Sequence, residues 1–199
     1  MQKEVSTSGV RIGTANTLAL IVGSLLGLLA SVGLLETELA HIRNPDAALG
    51  CDLNSLISCG SSLMSPQAHL LGVPNSALGI GAFGALLAVG VFALLGTRFS
   101  VLSVRLLGLG GVGGLGFVAF FLHASATNFF ALCPYCMVVW SGAIIVAAVL
   151  IPTALLTFEA PRDTAATCLR YSWAVMVSLH LVVFLVVLLT MSEQIGGLF

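Results

Sequence analysis

Five long apolar runs constrain this chain more than any other feature. A helix that crosses the hydrocarbon core of a bilayer needs roughly 20 apolar residues. Runs of that length lie at approximately 14–35, 76–95, 101–122, 132–157 and 171–191. Of the 199 residues, 58% are hydrophobic and 8% are charged, whereas a soluble domain carries about 25% charged residues. The composition therefore predicts an all-α integral membrane protein that forms a single membrane domain over residues 1–199.

The basic residues predict how these spans are oriented. Cytoplasmic loops carry an excess of Lys and Arg. With a cytoplasmic N-terminus, six of the seven basic residues fall inside: Lys3, Arg11, Arg98, Arg105, Arg162 and Arg170. Residues 36–74 then form an outer loop, and the fourth span begins on the same outer side. No basic run is present to hold phosphates, so nothing in the chain indicates nucleic-acid binding.

The tetrad Cys133-Pro134-Tyr135-Cys136 opens the fourth span. Two residues between cysteines is the spacing of a redox-active dithiol. Pro134 suits the first turn of a helix, so Cys133 lies near the helix N-terminus, where unpaired N–H groups and the helix dipole favour a thiolate. Cys136 lies one turn deeper, towards the bilayer. The alternatives are a structural disulfide, or half of a zinc site completed by His123 and another cysteine pair.

A second pair, Cys51 and Cys59, lies in the predicted outer loop. Both pairs thus fall on the oxidising side of the membrane, where disulfides persist, whereas the lone Cys168 falls inside. Taken alone, Cys51 and Cys59 fit a structural staple. Beside a redox dithiol on the same face, they fit a shuttle pair on a mobile loop. Four cysteines allow three connectivities, and the pairing stays open at this point.

The combination resembles the vitamin K epoxide reductases and their bacterial homologues. That family has a loop cysteine pair followed by a Ser or Thr, an Asn-Ser near the start of the second span, and a Cys-x-x-Cys that opens the last bundle helix. The matching positions here are Cys51 with Cys59, Ser65, Asn75-Ser76, and Cys133 with Cys136. The likeness covers roughly residues 51–140, and the first span is consistent with it.

The resemblance implies a four-helix transmembrane bundle around a quinone, with a fifth transmembrane helix beside it. Cys51 would exchange with an external thioredoxin-like (DsbA-like) protein, and Cys59 would relay to Cys133. Cys136 would face the quinone ring, and Asn75 would donate a hydrogen bond to one of its oxygens.

Four further residues are candidates for the same site. Ser65 is either a helix N-cap before Pro66 or a polar group of the site. Animal relatives have a Tyr four residues after the last cysteine that contacts the quinone oxygen. Trp140 stands at that position here, and its indole N–H can donate although its shape and reach differ. Phe121 and Phe129 are candidates to line the quinone pocket, with an interfacial aromatic belt as the alternative.

These expectations combine into a membrane thiol:quinone oxidoreductase of the bacterial cytoplasmic membrane. Electrons would reach menaquinone, ubiquinone or vitamin K as a diffusible acceptor, without a metal, and exported proteins would gain disulfides. Many bacterial members carry a fused thioredoxin-like domain after a fifth span; because this chain stops at Phe199, we expect the partner to act in trans. The alternatives are reduction of vitamin K or its epoxide, and a non-catalytic scaffold stapled by two disulfides.

Overall fold

A computed structural model describes residues 9–45, 49–54, 56–63, 65–70, 72–158 and 162–196. In chain order, the helices of these residues are α1 (Thr14–Arg43), α2 (Gly60–Leu63), α3 (Asn75–Leu94), α4 (Val101–Ala124), α5 (Pro134–Leu155), α6 (Arg162–Arg170), α7 (Ser172–Thr190) and α8 (Ser192–Gly196). A 3₁₀ turn (Pro66–His69) precedes α3, and a π-helical turn (Ser125–Phe129) follows α4. The helices α1, α3, α4, α5 and α7 are long and apolar enough to cross a membrane. The predicted all-α membrane fold is confirmed.

The helix α5 lies at the centre of the bundle. α1 packs against both α3 and α5, and α4 packs against α5 as well. In an apolar stretch of 18 residues of α5, 61% of the residues are buried, whereas none is buried in the corresponding stretch of α7. Because α7 joins the assembly mainly through α5, the protein is a four-helix bundle with a fifth helix on its outside.

Glycines let α1 and α5 approach closely. A Cβ atom added to Gly142 of α5 would lie 2.7 Å from the carbonyl oxygen of Gly23 and 2.9 Å from the amide nitrogen of Gly27. Without a strong hydrophobic drive between helices in lipid, such close backbone contact is a main source of association. The α1–α5 crossing therefore depends on Gly142.

Polar contacts fix the end of the bundle at which α1 begins. Val10 and Phe99 exchange backbone hydrogen bonds of 2.9 and 3.0 Å, which tie the chain before α1 to the α3–α4 connection. Arg105 of α4 donates to the hydroxyl and carbonyl oxygens of Thr157 at 2.9 and 3.0 Å. Its guanidinium also lies 4.1 Å from the centre of the Phe158 ring. The two cysteine pairs lie at the opposite end of the bundle.

At that opposite end, α1 continues beyond residue 35, where the sequence predicts the first span to end. The helix runs to Arg43, so it carries residues into the bundle that the sequence prediction assigns to the outer loop. One of them is Glu38, which is buried.

Candidate redox centre

Backbone pairing brings the loop cysteines to the entrance of α5. The N–H of Leu132 donates to the carbonyl oxygen of Leu56 at 2.7 Å, and the N–H of Ser58 donates to the carbonyl oxygen of Leu132 at 3.0 Å. Cys59 and Cys133 each directly follow one of these paired residues. This short parallel bridge therefore sets the two cysteines side by side.

The four cysteines form a continuous series of sulfur atoms. Cys51 and Cys59 are joined in a disulfide, with Cα atoms 5.8 Å apart. The Sγ atom of Cys133 lies 3.6 Å from the Sγ atom of Cys59, and both residues are buried. Cys133 and Cys136 are free thiols. Cys133 is therefore the member of the tetrad that lies within exchange distance of the loop disulfide.

The start of α5 gives Cys133 and Cys136 different environments. Cys133 is the N-cap, and its Sγ accepts the backbone N–H of Cys136 at 3.4 Å. Pro134 occupies the first helical turn, as predicted. An N-cap sulfur lies at the positive end of the helix dipole, which favours its thiolate. Cys136, one turn along the helix, instead lines a large cavity.

Asp52 organises the turn between the two loop cysteines. Its Oδ1 accepts hydrogen bonds from the Ser58 hydroxyl (2.9 Å) and from the backbone N–H groups of Cys59 (2.7 Å) and Gly60 (3.1 Å). The limited burial of the Asp52 carboxyl acts to raise its pKa, but these three donors outweigh burial and hold the pKa below the usual value of 3.8. The carboxylate is therefore charged at neutral pH and holds Cys59 in place.

The loop cysteines do not offer a metal site in this redox state. One ligand atom each from Cys51, Asp52 and Cys59 lie within 4.8 Å of one another, a grouping that can ligate a metal. Both sulfurs are already bonded to each other, however, and a disulfide sulfur is not a thiolate ligand. The geometry suits thiol–disulfide exchange.

A cavity of about 960 Å³ lies between α1, α3, α4 and α5. Sites for small molecules span roughly 300–1,000 Å³, so this cavity is large. Glycines of α4 contribute to its size: Gly110, Gly111, Gly113 and Gly114 line it. Among the described residues, none lies within 4 Å of a Cβ atom added at Gly110 or Gly113, so open space faces both positions.

The polar lining of the cavity is concentrated at its cysteine end. The last turns of α1 and the first turns of α3 and α5 meet there and contribute Glu38, Asn75, Ser76 and Cys136. The remaining walls are largely apolar. An apolar chamber with polar groups at one end suits a ligand that has a polar ring and a long apolar tail.

Three of the predicted quinone-site residues line this cavity. Trp140 is buried one turn deeper than Cys136, and the ring of Phe121 on α4 packs at a tilt against that of Phe117, with the ring centres 4.5 Å apart. Asn75 also lines the cavity, but its amide is engaged within the protein. Its Nδ2 donates to the carbonyl oxygen of Gln67 at 2.6 Å, so Asn75 ties the 3₁₀ turn to α3.

Ser65 and Phe129 are not among the described residues that line the cavity. Ser65 occupies the N-cap position of the 3₁₀ turn but caps it with no side-chain hydrogen bond. Its hydroxyl donates instead to the carbonyl oxygen of Ser62 at 2.7 Å. Phe129 packs against the hydrophobic cluster that contains Leu56 and Trp140.

The sequence prediction misses several polar residues of the cavity wall, among them Glu38 and Ser62. Ser62 is buried and its hydroxyl donates to the carbonyl oxygen of Cys59 at 2.9 Å. Nothing distinguishes it from the neighbouring serines in the sequence. The sequence marks Glu38 only as an acidic residue shortly after an apolar run, a description that the exposed Glu36 shares.

The spanning helices, the loop disulfide and the free Cys133 thiol in contact with it define a membrane thiol–disulfide redox protein. The family model described as vitamin K epoxide reductase family matches residues 18–151. The chain belongs to this family, so the resemblance seen in the sequence is confirmed and the protein is an oxidoreductase. A comparison with curated proteins found no match.

Proposed function

We propose that the protein is a thiol:quinone oxidoreductase that reoxidises a thioredoxin-like protein and passes its electrons to a quinone. One observation carries the proposal. The sulfur series runs from the Cys51–Cys59 disulfide across 3.6 Å to Cys133 and ends at Cys136 on the cavity wall. The protein partner would react at the loop, and the quinone would occupy the cavity.

Electrons enter when a thiolate of the reduced partner attacks Cys51. We choose Cys51 because it is 8% exposed, whereas Cys59 is 0% exposed. The attack breaks the Cys51–Cys59 bond and forms a mixed disulfide between the partner and Cys51. The partner's second thiol then displaces Cys51 and closes the partner's own disulfide. Two electrons and two protons have passed from the partner to the loop.

The loop dithiol then reduces the tetrad. The Cys59 thiolate attacks Cys133 of an oxidised Cys133–Cys136 pair, and Cys136 leaves as a thiol. Cys51 next displaces Cys133, which restores the loop disulfide. The product state has a Cys51–Cys59 disulfide and free thiols at Cys133 and Cys136, the same state as in the structure.

In the last step the tetrad closes its own disulfide and reduces the quinone. The Cys133–Cys136 dithiol gives up two electrons and two protons, and the quinone becomes a quinol. Cys136, Asn75 and Trp140 line the cavity and are the candidates to contact the ring. A menaquinone or ubiquinone suits the apolar walls, where its long tail would lie beside the glycines of α4.

We place the cysteine end on the outer side of a bacterial cytoplasmic membrane, with the N-terminus in the cytoplasm. The bias of six basic residues in seven supports this orientation, as does the oxidising chemistry of that side. Disulfide formation in exported proteins is then the physiological result.

The test is quinone reduction by the purified protein, supplied with a reduced thioredoxin-like protein and soluble menaquinone and ubiquinone analogues. We expect turnover by the wild type and by Cys168→Ala, which changes the free cysteine of α6. Cys51→Ala and Cys136→Ala should be inactive. A wild type that reduces neither analogue, and whose disulfide survives mild reductant, would instead be a stapled scaffold. Faster reduction of vitamin K epoxide than of either quinone would favour the alternative substrate.

A further inference from the structure

Glu38 is a buried acid in the wall of the cavity. The residue is 6% exposed and lines the same cavity as Cys136. Burying a carboxyl group among apolar spans is expensive, so an ionisable residue there points to function. Glu36, two residues earlier on the same helix, is exposed and provides a matched comparison.

Two contacts hold the Glu38 carboxyl. Its Oε2 accepts the hydroxyl of Ser76 at 3.0 Å, and its Oε1 lies 2.9 Å from Nε2 of His69. The contact with His69 lacks the alignment of a hydrogen bond, and Oε1 accepts no hydrogen bond within the described part of the chain. One oxygen is therefore fixed by α3, while the other retains the capacity to exchange a proton.

His69 connects this carboxyl to water. Its side chain is 44% exposed, whereas that of Glu38 is 8% exposed. The imidazole of His69 thus meets solvent on one side and the buried carboxyl on the other. An imidazole has two ring nitrogens, one of which can accept a proton while the other donates one, so His69 can take a proton from water and pass it to Glu38.

We propose that His69 and Glu38 deliver a proton from water on the cysteine side to the quinone during its reduction. Glu38 gives the proton to a quinone oxygen, His69 reprotonates Glu38, and Ser76 positions the carboxyl. This inference rests on the proposed function, because it requires a quinone in the cavity.

The bonds, electrons and protons of quinone reduction balance with this route. The Cys133–Cys136 dithiol loses two S–H bonds and two electrons and forms one S–S bond, while the quinone gains two electrons and two O–H bonds. One of these protons comes from Glu38 and is replaced from water through His69. The other comes from the Cys136 thiol. The proton of Cys133 passes to water when its thiolate forms, so the net uptake from water is zero.

The ionisable groups around Glu38 come from three elements. His69 of the 3₁₀ turn touches the carboxyl, and Cys136 of α5 lines the same cavity. On α1 itself, His41 lies one turn further along and is half-buried. Of these, His69 combines contact with Glu38 and broad exposure to water, so the route is assigned to His69.

The variant Glu38→Gln separates proton delivery from structure. A Gln side chain still accepts the hydroxyl of Ser76, but it has no acidic proton to give. We expect quinone reduction to slow about 100-fold, within the range for general acids, and the solvent deuterium isotope effect to rise. Reduction of the Cys133–Cys136 pair by the thioredoxin-like protein, followed without quinone by thiol trapping, should keep its wild-type rate.

Three further variants complete the test. Glu38→Asp should recover part of the rate because it restores an acid. His69→Ala should slow quinone reduction at least several-fold, and added imidazole should restore it. Glu36→Gln should behave as the wild type.

Each outcome decides between the two proposals. If the wild type reduces quinone and Glu38→Gln matches Glu36→Gln, the proton route is wrong and the proposed function stands. If Glu38→Gln slows both half-reactions equally and lowers the melting temperature, Glu38 is structural and the route is again wrong. If the wild type reduces no quinone, both proposals fail.

Discussion

Among single residues, Cys133 and Cys136 show that the two thiols of one dithiol can have different partners because they occupy different positions on a helix. The N-cap position turns the Cys133 sulfur towards the loop, 3.6 Å from Cys59, and gives it the field of the helix terminus. One turn later, Cys136 faces the cavity. Two thiols separated by two residues therefore meet two different partners.

The different partners of Cys133 and Cys136 predict which cysteines cross-link. A protein with Cys51→Ala and Cys136→Ala retains the two sulfurs in contact, and mild oxidation should join Cys59 to Cys133 almost completely. The reciprocal protein, with Cys59→Ala and Cys133→Ala, should cross-link far more slowly because its remaining sulfurs belong to the two ends of the series. Mass spectrometry of non-reduced peptides measures both. Equal cross-linking in the two proteins would contradict the sulfur order.

Asp52 makes the stability of the loop depend on pH. The pKa of Asp52 is lowered in the folded protein. The charged carboxylate therefore stabilises the folded loop fully above the pKa that Asp52 has in the unfolded state, and this stabilisation is lost as pH falls through its pKa in the folded state. Amide protection of Cys59 and Gly60, followed by hydrogen exchange, should therefore decline below about pH 4. Asp52→Asn should show weaker protection at neutral pH and no such step. If the wild type instead lost this amide protection near neutral pH, Asp52 would not be the group responsible.

Among the helices, α4 shows that glycines on one element can have different purposes. Gly108 and Gly111 would meet α5 with an added Cβ, at Ala154 and Ile151, so they allow close packing. Gly110 and Gly113 have no such neighbour among the residues that the structure describes, and they line the cavity. One face of α4 thus packs, and another leaves space for a ligand.

Filling that space should block the ligand without unfolding the bundle. In Gly113→Leu the new side chain enters the cavity, and we expect quinone reduction to fall at least tenfold while the melting temperature holds or rises, since Leu is the better helix former. Gly116→Leu is the matched control, because within the described part of the chain Gly116 also has no neighbour within 4 Å and is not among the residues that line the cavity. Similar loss in both variants would show that the cavity is not where quinone reacts.

A larger side chain at the crossing of α1 and α5 should instead lower the stability of the bundle. Gly142→Ala puts a methyl group 2.7 Å from the carbonyl oxygen of Gly23, and overpacking of this kind costs about 1–3 kcal/mol. Gly81→Ala adds the same methyl group where none of the described residues lies within 4 Å. Thermal unfolding in detergent should show a clear drop for the first and little change for the second. A Gly142→Ala protein as stable as the wild type would mean that the helices separate at little cost.

For the whole molecule, the orientation in the membrane is the property that function needs most. The proposed topology puts the loop cysteines on the outer side and Cys168 on the inner side. Single-cysteine proteins that retain Cys51 or Cys168 should therefore react with a membrane-impermeant maleimide from opposite faces of intact vesicles. Labelling of Cys51 in right-side-out vesicles, with Cys168 reactive only after lysis, is the expected result. The reverse pattern would overturn the topology and the proposed exchange with exported proteins.

The five spans and the Cys-Pro-Tyr-Cys tetrad could be predicted from the sequence because both signals are local. A span is a continuous run of apolar side chains, and the tetrad's position at a helix start follows from Pro134 and the run after it. The family resemblance rests on such local motifs as well, and it is confirmed over residues 18–151.

Hydropathy and cysteine spacing are enough to identify a helical membrane protein with two cysteine pairs, since neither signal depends on distant contacts. Which sulfurs meet follows from the folded arrangement, because the contact of Cys59 with Cys133 depends on backbone pairing between segments more than 70 residues apart. The folded arrangement also decides that Glu38 faces the cavity, since that depends on how far α1 continues and on where α3 brings Ser76. The shape of a site that several helices build is a property of their packing, and no single stretch of sequence encodes it.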